Sequence, residues 1–110
     1  MGETNNHAYG ESGKYEEGIE SLKQAIKINP KDAKAHNNLG LAYYNTSKYK
    51  KAIESYKQAI RIDPDFVEAH SNLGLTYIIL KDRGSAMEQY KILKKLDTEL
   101  ANELFNKIYK

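Results

Sequence analysis

The ten residues AHNNLGLAYY at 35–44 return as AHSNLGLTYI at 69–78, a shift of 34 positions. The same shift lays YEEGIESLKQAIKINP at 15–30 over YKKAIESYKQAIRIDP at 49–64. It also strings Tyr9, Tyr43 and Tyr77 into one series. A catalytic centre needs its special residues only once. A chain that rewrites itself at a period of this size builds a stack of like units, each burying its apolar face against the next.

Inside one unit the apolar spacing is helical. Ala35, Leu39, Ala42 and Tyr43 mark one stripe; Tyr49, Ala52, Ile53, Tyr56, Ala59 and Ile60 mark a second. Steps of three and four residues gather each set on one side of a helix. The NTSK run at 45–48 lies between them and has turn preferences. After the second stripe comes IDPD at 62–65. Its proline lacks an N–H and crowds the preceding turn, so it ends the helix. Asp65 with Glu68 three residues later resembles a capping box opening the next helix. Each unit therefore reads as helix, turn, helix and proline-marked turn. Gly40 and Gly74 fall inside first helices, where glycine costs about 1 kcal/mol relative to alanine. That cost predicts close approach by the backbone of a neighbouring helix, with Ala52, Ala59 and Ala86 serving the same closeness on the second helices.

At this point the residues resemble a known family. Leu-Gly, then Tyr, Ala, an aromatic, Ala and Pro at fixed spacing is the pattern of the tetratricopeptide repeat. Leu39, Gly40, Tyr43, Ala52, Tyr56, Ala59 and Pro64 fill one copy; Leu73, Gly74, Tyr77, Ala86 and Tyr90 fill most of another. The resemblance implies an all-α, right-handed α-solenoid of antiparallel helix pairs. It also marks departures. His36 and His70 stand where the family often has Trp, and Gly18 where it has the second-helix Ala. In the last unit Leu93 replaces a small Ala, Arg83 an aromatic and Thr98 the Pro.

One domain of 110 residues is expected. It divides into a partial first repeat at 1–31, a full repeat at 32–65, a degenerate last repeat at 66–98 and a capping helix at 99–110. Leu100, Leu104, Phe105 and Ile108 form the apolar stripe of that cap, with Asn102, Glu103, Asn106, Lys107 and Lys110 facing out. In the first repeat Asn5 and Asn6 occupy the Leu-Gly positions, and only Ala8 and Tyr9 keep the pattern. Residues 1–6 read as a start residue plus vector or linker, and the chain as a fragment of a longer repeat protein or a short protein with a degenerate first unit. The helix from about Tyr15 to Ile28 is expected to lack a partner on one face. That edge is predicted to be loose or covered by another copy of the chain.

The search for chemistry excludes more than it finds. There is no cysteine, hence no disulfide, thiolate metal site or cysteine nucleophile. Seventeen Lys and Arg against fifteen Asp and Glu leave a net charge of +2, too slight to argue for nucleic acid or an anionic membrane. Met1–Gly13 has no apolar signal region, and the longest aliphatic run, Ile78-Ile79-Leu80, is too short to span a bilayer. A cytoplasmic location is expected. His36 and His70, equivalent positions in adjacent units, read as packing residues rather than as a metal pair. Glu16, Glu17 and Glu20 among Lys14, Lys23 and Lys27 read as solvated pairs. Lys48, Lys50, Lys51 and Lys57, and again Lys91, Lys94 and Lys95, read as solvated helix surface. No enzyme, cofactor or metal is expected.

In the family, first helices line a concave groove that takes peptides of partner proteins. The resemblance assigns to that groove Lys34, Asn37, Asn38, Leu41, Tyr44 and Asn45 in one unit, and Glu68, Ser71, Asn72, Leu75, Ile78 and Ile79 in the next. Asn38 and Asn72 resemble the asparagine ladder of superhelices related to the O-linked N-acetylglucosamine transferases. An amide can pair with the backbone of any extended peptide. The carboxylate clamp of chaperone-binding members is not matched, because Glu68 and Asn72 stand where it needs cations. Leu41, Leu75, Ile78 and Ile79 leave apolar area suited to aliphatic side chains or a partner helix. The expected function is a non-catalytic protein-interaction module. The alternatives are a self-assembling homo-oligomeric scaffold and an accessory repeat domain of a larger enzyme.

Overall fold

The computed structural model describes the backbone of residues 2–110 and the side chains of residues 13–110. The described residues form six helices: α1 (Gly2–Ile28), α2 (Ala33–Asn45), α3 (Tyr49–Ile62), α4 (Val67–Ile79), α5 (Arg83–Leu96) and α6 (Thr98–Ile108). Helices α2 and α3 pair, as do α4 and α5, while α1 lies on α2 and α6 closes over α4 and α5. The stack is an all-α solenoid, as the period requires.

The turn inside each hairpin is the same twice. Ser47 and Lys81, one period apart, are the two non-glycine residues with positive φ among the described residues, 62° each. The amide after each reaches back to a tyrosine carbonyl: Lys48 to Tyr43 at 2.8 Å and Asp82 to Tyr77 at 2.8 Å. This left-handed stop satisfies the last carbonyls of the first helix. In the first unit Gly13 holds that register position, yet no turn forms there, and α1 runs through it. The expectation of a helix beginning near Tyr15 is corrected accordingly. The expectations for the side chains of residues 1–12, including His7, Ala8 and Tyr9, fall outside the described residues.

Helix starts differ between units. Asp32 caps α2 by accepting from the Ala35 amide at 3.2 Å. One period on, Phe66 occupies the cap of α4 and has no acceptor to offer. The capping box expected from Asp65 and Glu68 does not form. Asp65 lies one residue too early, and its amide donates to Asp63 Oδ1 at 3.2 Å within the proline turn. Asp82 and Asp97 cap α5 and α6 by accepting from Ser85 and Leu100, each at 3.1 Å.

Two apolar clusters hold the stack. Ile19, Leu39, Tyr43, Ala52, Tyr56 and Leu73 form the first. Ala86, Leu93, Ala101, Leu104 and Ile108 form the second. The glycines make room for side chains rather than for backbone, contrary to the sequence expectation. A Cβ on Gly40 would lie 2.5 Å from the Tyr56 ring, and one on Gly74 would lie 2.7 Å from Leu104. Leu93 fills the core from the position where a small residue was expected, and α6 completes the apolar layer as a cap.

The histidines repeat a single bond. His36 Nε2 donates to the Pro30 carbonyl at 2.9 Å, and His70 Nε2 to the Pro64 carbonyl at 2.7 Å. A carbonyl oxygen can only accept, so the ring nitrogen carries the proton. Each ring thus ties the first helix of its unit to the turn before it.

Candidate protein-interaction groove

Helices α2 and α4 lie side by side, and their one-period register brings like positions into neighbouring rows. Leu41, Tyr44 and Asn45 of α2 and Asn72 and Leu75 of α4 surround a cavity of about 220 Å³, with Tyr56 of α3 also lining it. The walls are aliphatic and aromatic with two amides, and none of the lining residues carries a charged side chain. Such a mixture of apolar surface and a few placed polar groups is the usual makeup of a small binding pocket.

Tyr56 was not among the residues assigned to the groove. Its ring lies on Gly40 in the core, and its hydroxyl is buried without a hydrogen-bond partner. Burial, and after it the neighbouring Tyr44 phenol, pushes the Tyr56 hydroxyl well above its ordinary range. Burial, then Tyr49, raises Tyr44 as well. Both hydroxyls therefore stay protonated at neutral pH and can donate. Tyr49 meets Tyr44 edge to face at 5.7 Å and 77°, which holds the Tyr44 ring against the wall. Tyr56 sits on the second helix of its hairpin, so a reading of first helices alone could not place it at the groove.

The amides are arranged differently from a simple ladder of Asn38 and Asn72. Asn72 Nδ2 donates to Asn37 Oδ1 at 3.1 Å, so the amide contact between neighbouring units runs through Asn37. Asn37 is 3% exposed and lies behind Asn72 rather than at the surface. Its assignment as a partner-contacting residue is corrected: its oxygen is engaged inside the protein and orients the Asn72 amide. Thr76 Oγ1 donates to the Asn72 carbonyl at 2.8 Å and fixes the same turn of α4. Of the other assigned residues, Lys34, Asn38, Glu68 and Ile79 are exposed and Ser71 is half-buried. Ile78, like Leu75, packs partly against the C-terminal cluster, so the apolar strip is narrower than the sequence suggested.

Among the described residues there is no group of three or more His, Asp or Glu placed to hold a metal ion, and no helix is long and apolar enough to cross a membrane.

With this geometry in hand, comparison with known proteins is specific. The family described as "TPR repeat" matches residues 7–47 and 42–78, and that described as "Tetratricopeptide repeat" matches residues 67–106. No curated relative matches the sequence. Among solved structures, MamA is similar at 31% identity and a TM-score of 0.75 over 81% of this chain. The match takes in 52% of MamA, so the chain spans about half the length of that relative. The second TPR domain of human RPAP3, solved with the HSP70 peptide SGPTIEEVD, aligns at 24% identity and a TM-score of 0.82, covering 98% of this chain and 92% of that one. The TPR2B domain of yeast Sti1, solved in a pHsp70 complex, aligns at 23% identity and a TM-score of 0.81, covering 94% and 89%.

Proposed function

The chain belongs to the tetratricopeptide repeat family, and from that premise we propose that it is a non-catalytic protein-interaction module whose α2–α4 groove takes an extended segment of a partner protein. The observation that carries this reading is the cavity beside Asn72, lined in part by Tyr56, whose hydroxyl has no partner among the described residues. A buried hydroxyl without a partner costs about 1–3 kcal/mol, and a group that satisfies it recovers part of that. Asn72 uses one N–H on Asn37 and keeps its other N–H and its oxygen for a peptide backbone. Leu41 and Leu75 suit an aliphatic side chain inserted between them.

Structures of this fold solved with HSP70 peptides support a peptide as the occupant. The groove does not suit a peptide held by its terminal carboxylates. None of the cavity residues is basic. An uncharged or mixed segment fits better. The test is capture of partners from a native extract on immobilised protein. Asn38→Ala with Asn72→Ala, and separately Leu75→Asp, should each lose the partners retained by the wild type. Retention of every partner by both variants would remove the groove from consideration.

A second reading, self-association, is favoured by one observation. Ile28 at the end of α1 is 85% exposed, and Tyr15 on the same helix is 39% exposed. A second copy packed on the end of α1 would bury Ile28, whereas Tyr15 lies about 140° around the helix from it, on another face. Light scattering should then report a dimer that Ile28→Asp converts to monomer.

A further inference from the structure

A larger opening lies elsewhere among the described residues: a cleft of about 670 Å³ between α1 and α3, with α2 behind it, sharing no residue with the groove. Its rim carries Lys23 and Lys27 from α1 and Lys51, Lys57 and Arg61 from α3, against the single carboxylate of Glu54. The cleft is thus net +4 in a chain that is net +2, and everything outside it is net negative. Read along the chain these cations look like two separate solvated helix faces. The fold brings them to one opening.

The cations are also largely unneutralised. Among the described residues, only Lys23 of the five has a carboxylate within 4 Å, a 3.9 Å contact to Glu20 on its own helix. The Lys51 ammonium lies 5.7 Å from the centre of the Tyr43 ring at the cleft floor. That floor is apolar: Ile26, Leu39, Tyr43 and Ile53.

The period explains why the cleft is open. In the next unit Gln89 reaches His70 Nδ1 at 2.7 Å, and His70 is buried. One period earlier the residue in the Gln89 position is Ser55, whose side chain is too short to reach His36. His36 and Ser55 both line the cleft instead.

We propose that this cleft binds an acidic segment of a partner protein in which Asp or Glu alternates with aliphatic residues, the carboxylates meeting the lysine and arginine rim and the aliphatic side chains the floor. Charge complementarity sets the sign of the ligand, and the floor sets its apolar component. A nucleic acid is less suited. Its bases need open aromatic faces for stacking; of the two rings in the cleft, Tyr43 is 7% exposed with the Lys51 ammonium over it, and His36 is half-buried and tied to the Pro30 carbonyl.

The probe is a labelled peptide of alternating Glu-Glu and Leu-Leu pairs, followed by fluorescence anisotropy at low salt on the full chain. Binding should weaken by about tenfold or more in Lys27→Glu with Lys57→Glu. It should stay near wild type in Lys91→Glu with Lys95→Glu, which changes net charge equally but lies outside the cleft, and in the groove variant Leu75→Asp. A peptide with Ser-Ser in place of Leu-Leu should bind several-fold more weakly, because the floor then contributes nothing. Three results would each overturn the proposal: no binding of the leucine peptide, equal weakening by both lysine pairs, or tighter binding of oligodeoxythymidine with the same dependence on Lys27 and Lys57. Circular dichroism of each variant confirms that the helices persist. The insensitivity to Leu75→Asp separates this cleft from the groove.

Discussion

Two glycines in equivalent-looking helical settings should respond oppositely to the same substitution. Alanine in place of an interior helical glycine gains about 1 kcal/mol by reducing backbone freedom in the unfolded chain. At Gly18 a Cβ would meet no atom within 4 Å, so that gain should appear undiminished. At Gly40 the new Cβ would lie 2.5 and 2.6 Å from two atoms of the Tyr56 ring. Ordinary carbon contacts are about 3.5–4.0 Å, so the ring or the helix pair must shift by about an ångström. Tyr56 is 0% exposed, so its ring can yield only by leaving its place in the core toward the groove cavity it lines. Overpacking of a tight core costs about 1–3 kcal/mol, and this contact belongs at the upper end. Subtracting the helix gain leaves Gly40→Ala about 2 kcal/mol less stable than wild type. The two variants should then differ by about 3 kcal/mol, or roughly 10 °C or more in Tm for a domain of this size. Thermal and urea unfolding followed by far-ultraviolet circular dichroism measure both. In a Tyr56→Leu background the penalty of Gly40→Ala should shrink, because the ring that causes it is gone. If Gly40→Ala proves as stable as wild type, the close packing of that ring is not what holds the hairpin.

The left-handed positions give a second expectation. Lys81→Gly and Ser47→Gly should each raise stability by about 1 kcal/mol, read as a higher Tm, because glycine adopts positive φ without the Cβ penalty. Acid unfolding gives a third. Hydrogen bonds from the Ser85 hydroxyl and then its amide hold the Asp82 carboxylate below its ordinary pKa of 3.8. The stabilisation is therefore complete above that value and is lost as pH falls through the lowered folded value. Asp82→Asn should narrow the stability gap to wild type on going from about pH 5 to about pH 2, measured by urea titration at each pH.

The hairpins were legible because their signals are periodic. Leu39 and Tyr43, Ala52 and Tyr56, and the Pro64 turn each follow from spacing along one helix or from one residue's backbone chemistry. Features depending on two helices were read less well. The glycine slots accept side chains from partners twelve or more residues away, which no local pattern records. Asn37 and Asn38 are adjacent in sequence, and only the tilt of α4 against α2 decides that Asn72 meets the first. The cap of α4 was misplaced by one residue, because Asp65 has a carboxylate and Phe66 the backbone position. The basic cleft has no local signature in the chain, because its two rims stand about one period apart.

Of the two histidine bonds to a proline turn, the one from His70 to Pro64 joins parts of the chain that line neither opening, while His36 lines the basic cleft. A tether repeated at the same place in successive units fixes the angle at which one unit leans on the next. That angle sets how wide the space between α2 and α4 can be, and how far α1 stands from α3. Exchanging the imidazole of His36 or His70 for a ring without a donor would alter the curvature of the whole stack. Selectivity for a visitor could therefore drift through His70, a residue that the visitor never meets.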